Sequence, residues 1–136
     1  MSYDLILRQA LKLHDEGRLD EAERLYRQIL ETAPDHPVVL NLLGLVAQSK
    51  GLHEQAVSFF ARAVEQNPQS AEYHFNLAWS EERRGKAAEA IKAYLRALQL
   101  QPGIKEARNA LGNLYAGLGQ TERAREIGRA SCRERV

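Results

Sequence analysis

Apolar and polar residues alternate along this chain at helical spacing. Small or apolar residues stand at i, i+3, i+4 and i+7 from Leu40 to Ala47, and at i, i+4, i+7 and i+8 from Ala56 to Val64. Such a stripe on a 3.6-residue period predicts an amphipathic helix. Gly51 separates the two stretches, so the pattern predicts a pair of helices joined by a turn.

The same two-helix pattern returns every 34 residues. Three residue types recur in phase at that period: Pro34, Pro68 and Pro102; Gly17, Gly51, Gly85 and Gly119; and Ala22, Ala56, Ala90 and Ala124. Three series in phase at one period are far more specific than any single motif. They indicate an array of helical repeats.

Each recurring residue has a predictable structural role. The glycine follows the first helix of a unit and suits a left-handed cap. The alanine lies early in the second helix and allows two backbones to approach closely. The proline ends the second helix because it lacks an N–H and crowds the preceding turn. We expect Asp35, Ser70 and Thr121 to be N-caps of the helices that follow them.

These patterns predict an all-α fold. A chain of 136 residues with 44% hydrophobic residues can bury one core. We expect eight helices, at residues 3–15, 19–32, 37–49, 53–66, 71–84, 87–100, 105–117 and from 121 onward.

The units resemble tetratricopeptide repeats, whose pattern is W-x2-L-G-x2-Y, then A-x3-F, then P. The matching residues of the second unit are Leu40, Leu43, Gly44, Ala47, Ala56, Phe60 and Pro68. The resemblance implies a right-handed superhelix (an α-solenoid) of antiparallel helix pairs, with repeats at 3–36, 37–70 and 71–104 and a partial repeat at 105–126. In the third unit, His74 and Glu81 replace the large residues of the first-helix motif.

The last ten residues, IGRASCRERV, carry no repeat pattern. They resemble one reading frame of a common sequencing adapter over their whole length. We therefore interpret residues 127–136 as a non-native tail, which includes the single cysteine, Cys132. The alternative is a native basic tail. We expect the natural sequence to differ after Glu126, and the last helix pair to lack the polar cap that a repeat array needs.

The resemblance also implies a peptide-binding groove, because positions 2, 5, 9, 12 and 13 of each first helix line such a groove in known family members. With the neighbouring Asn76, the candidate groove residues are Asn41, Leu45, Gln48, Glu72, Phe75, Asn76, Trp79, Glu82, Arg83, Asn109 and Asn113. Phe75 and Trp79 lie about 40° apart on a helix, and Leu77 points about 200° away from Phe75. We interpret the two rings as the centre of the groove. The alternative is that both rings pack against the second helix of unit two.

Chaperone-binding members of this family hold a C-terminal carboxylate with a clamp of lysines, asparagines and an arginine. Asn41 and Asn76 match two of the clamp neighbourhoods. Leu45, Glu106 and Ala110 occupy other clamp positions, and Glu106 has the wrong charge for a carboxylate. We therefore do not expect the clamp here.

The stretches DEGRLDEAERLYRQIL and HPVVLNLLGLVAQSKG resemble the N-terminal repeats of bacterial relatives of O-linked N-acetylglucosamine transferases. In that family, a ladder of asparagines on the inner face holds acceptor peptides. Asn41, Asn76, Asn109 and Asn113 would form a partial, irregular ladder. The same repeats also precede methyltransferase and sulfotransferase domains.

Other kinds of chemistry find little support in the sequence. Lys plus Arg is 19 and Asp plus Glu is 18, a balance that argues against a nucleic-acid surface. We expect no membrane segment and a cytoplasmic location, and the N-terminus has no pattern of an export signal; a signal trimmed from the natural protein stays an open alternative. The four histidines do not stand at metal-ligand spacing, and no P-loop or nucleophile elbow occurs. We expect no catalytic residues, no cofactor and no metal.

The sequence therefore predicts a non-catalytic scaffold that binds a protein or an extended peptide. Two alternatives stay open. The chain could be the N-terminal substrate-docking fragment of a larger glycosyltransferase or other transferase. It could also self-associate through an uncapped C-terminal end, where Leu114, Tyr115 and Leu118 would be poorly covered.

Overall fold

The computed structural model describes the backbone of residues 3–134 and the side chains of residues 3–119. Seven helices make up this part of the chain: α1 Tyr3–Asp15, α2 Leu19–Thr32, α3 Pro37–Ser49, α4 His53–Gln66, α5 Ala71–Arg83, α6 Ala87–Leu100 and α7 Lys105–Glu134. They pack as antiparallel pairs, and each helix also contacts the next along the chain. The predicted all-α repeat fold is confirmed, and six helices begin and end within one residue of the predicted bounds.

The turns inside the first three repeats depend on glycine. Gly17, Gly51 and Gly85 have φ angles of 79°, 76° and 78°, in the left-handed region. At the second turn, the Gly51 N–H donates to Gln48 O at 3.0 Å and the Leu52 N–H to Ala47 O at 2.8 Å. This pair of bonds is a Schellman motif, which satisfies carbonyls at the end of a helix. The predicted role of these three glycines is confirmed.

The predicted N-caps have mixed outcomes. Ser70 caps α5, because its hydroxyl accepts a hydrogen bond from the Tyr73 N–H at 3.2 Å. Asp35 is not the cap of α3, since the residue before the first helical position is His36. The His36 ring accepts from the Val39 N–H at 3.4 Å, and Pro37 begins the helix with its φ already suitable.

The prediction of two helices after residue 104 is wrong, because α7 continues without a break to Glu134. Gly119 lies inside this helix, and so does Thr121, which is therefore not an N-cap. In the first three repeats, the second helix buries an aromatic ring completely: Tyr26, Phe60 and Tyr94. The fourth unit has Gly128 at that position. With no ring to bury, folding back gains little, and the helix continues.

The core lies between the two helices of each repeat and also between adjacent repeats, because one buried cluster joins α1, α2 and α3 and another joins α5, α6 and α7. Ala22, Ala56 and Ala90 are fully buried, which is consistent with the close approach predicted for them. The second helices end at Thr32, Gln66 and Leu100, two residues before each recurring proline. None of the described helices has the length and apolar character needed to cross a bilayer.

Candidate peptide-binding surface on the first helices

The residues predicted to form a groove lie on α3, α5 and α7, and they differ widely in exposure. Asn41 and Asn76 are buried. Five are half-buried: Leu45, Gln48, Phe75, Trp79 and Glu82. Four are exposed: Glu72, Arg83, Asn109 and Asn113. The surface available to a ligand is therefore smaller than the predicted set.

The two buried asparagines bind each other across a repeat boundary. Asn76 donates from Nδ2 to Asn41 Oδ1 at 2.9 Å, and the two side chains are 9% and 5% exposed. This bond joins α3 to α5. It satisfies one polar group on each side chain within the protein, so these amides contribute to packing between repeats.

Phe75 belongs mainly to the core of the third repeat. Its ring lies 5.7 Å from the ring of Tyr94 in an edge-to-face arrangement, and it packs against the cluster that includes Ala78 and Leu111. The contact is therefore with α6, the second helix of its own repeat.

Trp79, like Phe75, is half-buried, and its ring has different neighbours. Its ring centroid lies 4.7 Å from the guanidinium carbon of Arg83 and 5.8 Å from the ring of His53, the first residue of α4. The alternative that Trp79 contacts the second helix of unit two thus holds in part. Arg83 over the ring adds a cation–π contact and keeps a positive charge at the surface. Its side chain is 47% exposed and lies 3.9 Å from Glu82.

The tyrosine hydroxyls make contacts that the pattern of apolar residues does not predict. Tyr94 donates from its hydroxyl to Glu82 Oε1 at 2.8 Å, and His14 Nδ1 is hydrogen-bonded to the Tyr26 hydroxyl at 2.9 Å. Burial raises the pKa of Tyr26 to about 12, with the Asp15 charge adding to it. Burial also raises the pKa of Tyr94, and the bond to Glu82 adds to the shift. Glu82 is therefore partly engaged within the protein.

A sequence signal for these bonds exists. In repeats one and three, the second-helix aromatic is a tyrosine, and a polar residue stands twelve positions before it. In repeat two the aromatic is Phe60, which has no hydroxyl. A tyrosine rather than a phenylalanine at this position thus indicates a repeat whose two helices are joined by a side-chain hydrogen bond.

Two cavities lie outside the centre of the predicted groove. One of about 710 Å³ is lined by the start of α4 together with Arg83 and Arg84. The other, of about 680 Å³, lies between α4 and α6 and includes none of the candidate groove residues. Among the described residues, no group of three or more His, Cys, Asp or Glu side chains could hold a metal ion.

The helices form antiparallel pairs at a 34-residue period, and one first helix carries a half-buried tryptophan. Together these features define a helical-repeat protein with a candidate binding surface. Models of the tetratricopeptide repeat match residues 13–78, 71–104 and 93–126. The chain therefore belongs to the tetratricopeptide repeat family.

Among curated proteins, the chain is 31% identical over 127 residues to superkiller complex protein 3 of Homo sapiens, a match that covers 89% of this chain and 8% of that protein. The chain thus spans about a tenth of the length of such relatives. Among solved structures, it is similar to a mutant O-GlcNAc transferase of Thermobaculum terrenum, with a TM-score of 0.75, 29% identity and coverage of 82% of this chain and 22% of that one.

A third similarity concerns the fold alone. The first repeat domain of Spaghetti (RPAP3), solved with an HSP90 peptide, superposes with a TM-score of 0.82 at 24% identity, over 86% of this chain and 93% of that chain.

Proposed function

We propose that this chain is a non-catalytic scaffold that binds an extended polypeptide across the exposed side of its first helices, centred on Trp79. Tetratricopeptide repeat domains typically mediate interactions between proteins. The observation that carries the proposal is that Trp79 stays partly accessible while Arg83 and His53 hold its ring in place. A large, preorganised ring at the centre of a surface is typical of binding hot spots.

Exposed polar residues on the first helices supply the hydrogen bonds that an extended peptide needs. Glu72 and Arg83 are exposed on α5, and Asn109 and Asn113 are exposed on α7. An asparagine amide can pair with both the N–H and the C=O of a peptide backbone. Since Asn41 and Asn76 are bonded to each other, we assign the peptide contacts mainly to α5 and α7.

A peptide-array screen on this chain, followed by titration of the selected peptides, tests the proposal. Trp79→Ala should weaken their binding by about 2 kcal/mol or more, as expected for a hot spot, and should leave the helical content unchanged. Leu5→Ala is the matched control, because Leu5 is 72% exposed on α1 and outside the surface. Selected peptides that bind Trp79→Ala as tightly as the parent chain would contradict the proposal.

A second candidate is that the array docks substrates for a larger transferase. The similarity to the transferase of Thermobaculum terrenum supports it, because this chain covers 22% of that protein. The sequence of the natural gene beyond codon 126 tests this idea directly. A glycosyltransferase domain downstream would support it, and a reading frame with none would count against it.

A third candidate is self-association through α7. Tyr115 and Leu118 are 50% and 44% exposed on that helix, which is consistent with a surface that takes a further helix. Light scattering over a range of concentrations tests this candidate. The mass should rise with concentration for the parent chain, and Tyr115→Ser should prevent the rise. A constant monomer mass would exclude it.

A further inference from the structure

The cavity between α4 and α6 is a groove with two walls and a floor. Both α4 and α6 are antiparallel to α5, so they run in the same direction and form parallel walls, with α5 below them. The apolar lining comes from all three helices: Val57, Ala61 and Val64; Leu77; Ala93 and Leu95. Its volume of about 680 Å³ lies in the range of established ligand pockets.

The groove floor lacks two large residues of the repeat pattern. The repeat pattern places a tryptophan and a tyrosine at the first and last motif positions of the first helix. In α5 these positions hold His74 and Glu81, and both side chains line the groove. They are 8% and 7% exposed, so each is a polar group at the bottom of an apolar site.

These two polar groups are only partly satisfied within the protein. His74 donates from Nε2 to the Pro68 carbonyl at 2.9 Å. Glu81 accepts from Arg84 at 3.1 Å through Oε1, and no described residue bonds its Oε2. A carboxylate oxygen can accept hydrogen bonds from N–H and cationic donors. A ligand that brings a cationic or N–H donor would therefore complete the site.

Charge is segregated along the groove. Glu81 and Glu89 each stand four residues from Gly85, so both lie at the end next to that turn. Lys92 and Arg96 line the groove one and two turns further along α6. In the described part of the chain, neither of these cations forms an ion pair with a groove carboxylate. One end is thus acidic and the other is basic.

We propose that this groove is a second protein-docking site, distinct from the peptide surface around Trp79. Its partner is an amphipathic helix with a stripe of aliphatic side chains, a lysine or arginine at one end and an acidic residue at the other. The aliphatic stripe lies between α4 and α6, the cation reaches Glu81 and Glu89, and the acid pairs with Lys92 and Arg96.

The dimensions favour a helix over an extended strand. From Glu89 to Gln99, the wall formed by α6 is about 15 Å long, close to three helical turns. An amphipathic helix buries an apolar stripe of that length in a groove between two helices. The described part of the groove also presents no row of unpaired backbone groups for a strand to bond, because its walls and floor are helical. Leu95, 43% exposed at the edge, is the residue that such a partner would cover.

The test uses a labelled synthetic helix of about four turns, with leucines at i, i+4 and i+7, lysines at one end and glutamates at the other. Fluorescence anisotropy measures its affinity for the full chain. Leu95→Asp should weaken binding at least tenfold. Leu5→Asp, which places the same charge at an exposed leucine on α1, should have no effect. Thermal unfolding of both variants verifies that they are folded.

A second probe with glutamates at both ends tests the charge pattern. It cannot pair with Glu81 and Glu89 in either orientation, so it should bind at least tenfold more weakly than the mixed-charge helix. Trp79→Ala should leave the affinity of the mixed-charge helix unchanged, which separates this site from the proposed peptide surface. A Kd for the mixed-charge helix weaker than about 1 mM, or equal losses in Leu95→Asp and Leu5→Asp, would overturn the proposal.

Discussion

Asn41 and Asn76 stand 35 positions apart in the chain and join successive repeats through one amide hydrogen bond of 2.9 Å. Both side chains are almost fully buried. The bond therefore connects repeats two and three at a point where two first helices meet. It also explains why two of the predicted ligand contacts are engaged inside the protein.

Because of this bond, we expect substitutions of Asn41 and Asn76 to be strongly coupled in their effects on the free energy of unfolding. Asn41→Leu or Asn76→Leu alone should lower the free energy of unfolding by about 1–3 kcal/mol, because the remaining amide is buried without its partner. The double variant should lose clearly less than the sum of the two, since both polar groups are then gone. Denaturant unfolding measures the cycle. Additive losses would mean that the bond contributes nothing specific.

Gly44 and Gly112 occupy equivalent positions of two repeats, and alanine should change the stability of the fold in opposite directions at these two positions. A Cβ at Gly44 would lie 2.8 Å from Phe60 Cζ and closer still to two other atoms of that buried ring. Gly44→Ala should therefore destabilise the fold by about 1–3 kcal/mol through overpacking.

Gly112 occupies the same repeat position in α7, and a Cβ there would meet nothing within 4 Å. Gly112→Ala should stabilise the fold by about 0.5–1 kcal/mol through helix propensity alone. Thermal unfolding of the two variants provides the comparison. A loss of stability in Gly112→Ala would show that the end of the array is more crowded than its geometry indicates.

The buried tyrosines predict a loss of stability at high pH. The pKa of Tyr26 is raised to about 12 and that of Tyr94 is also raised, whereas an unfolded tyrosine titrates near 10. A raised pKa contributes stability that is fully present below the unfolded pKa and is lost as pH rises toward the folded value.

Stability should therefore fall above about pH 10, by up to about 1.4 kcal/mol per pH unit for each tyrosine. Tyr26→Phe and Tyr94→Phe should each make this decline less steep. Urea unfolding at a series of alkaline pH values measures the slopes. An unchanged slope in both variants would assign the decline to other groups, such as Lys50, whose pKa is raised by its hydrogen bonds to Asp20 and Glu23.

Ser80 predicts a stabilising substitution. Its side chain is fully buried, and its Oγ has no hydrogen-bond partner among the described residues. Ser80→Ala removes this unsatisfied group and adds helix propensity, so it should raise the unfolding free energy by about 1 kcal/mol. Ser58→Ala is the control, because Ser58 is exposed inside α4 and reports propensity alone. A smaller gain at Ser80 than at Ser58 would contradict the prediction.

The repeat period predicts most of the fold because its rules are local. A glycine that needs a left-handed turn, an alanine at a close approach and a proline after a helix depend only on residues nearby. The prediction fails at Gly119, where the same residue type lies within a continuous helix. A glycine permits a turn, but burial of an aromatic ring in the following helix is what stabilises it. The three turns that form are each followed by such a ring.

The candidate surface is less predictable because helical spacing indicates the side of a helix on which a residue lies but not the residues that it contacts. Spacing places Phe75 and Trp79 on one side of α5, but only packing shows that Phe75 lies against Tyr94 while Trp79 contacts His53 and Arg83. The groove between α4 and α6 is also not apparent from the repeat pattern alone. The sequence indicates this groove only through His74 and Glu81, which differ from the residues of the repeat pattern. The effect of that difference depends on the spacing of adjacent second helices.

Substitutions at the left-handed glycines of the first three repeats can show whether the array unfolds as one cooperative unit. Their φ angles agree within 3°, and a Cβ at any of them would meet nothing within 4 Å. Alanine at Gly17, Gly51 or Gly85 therefore imposes the same backbone strain without a steric contribution. If the array unfolds as one unit, the three variants should lose equal stability. Unequal losses of stability would show that the outer repeats unfold separately from the central one.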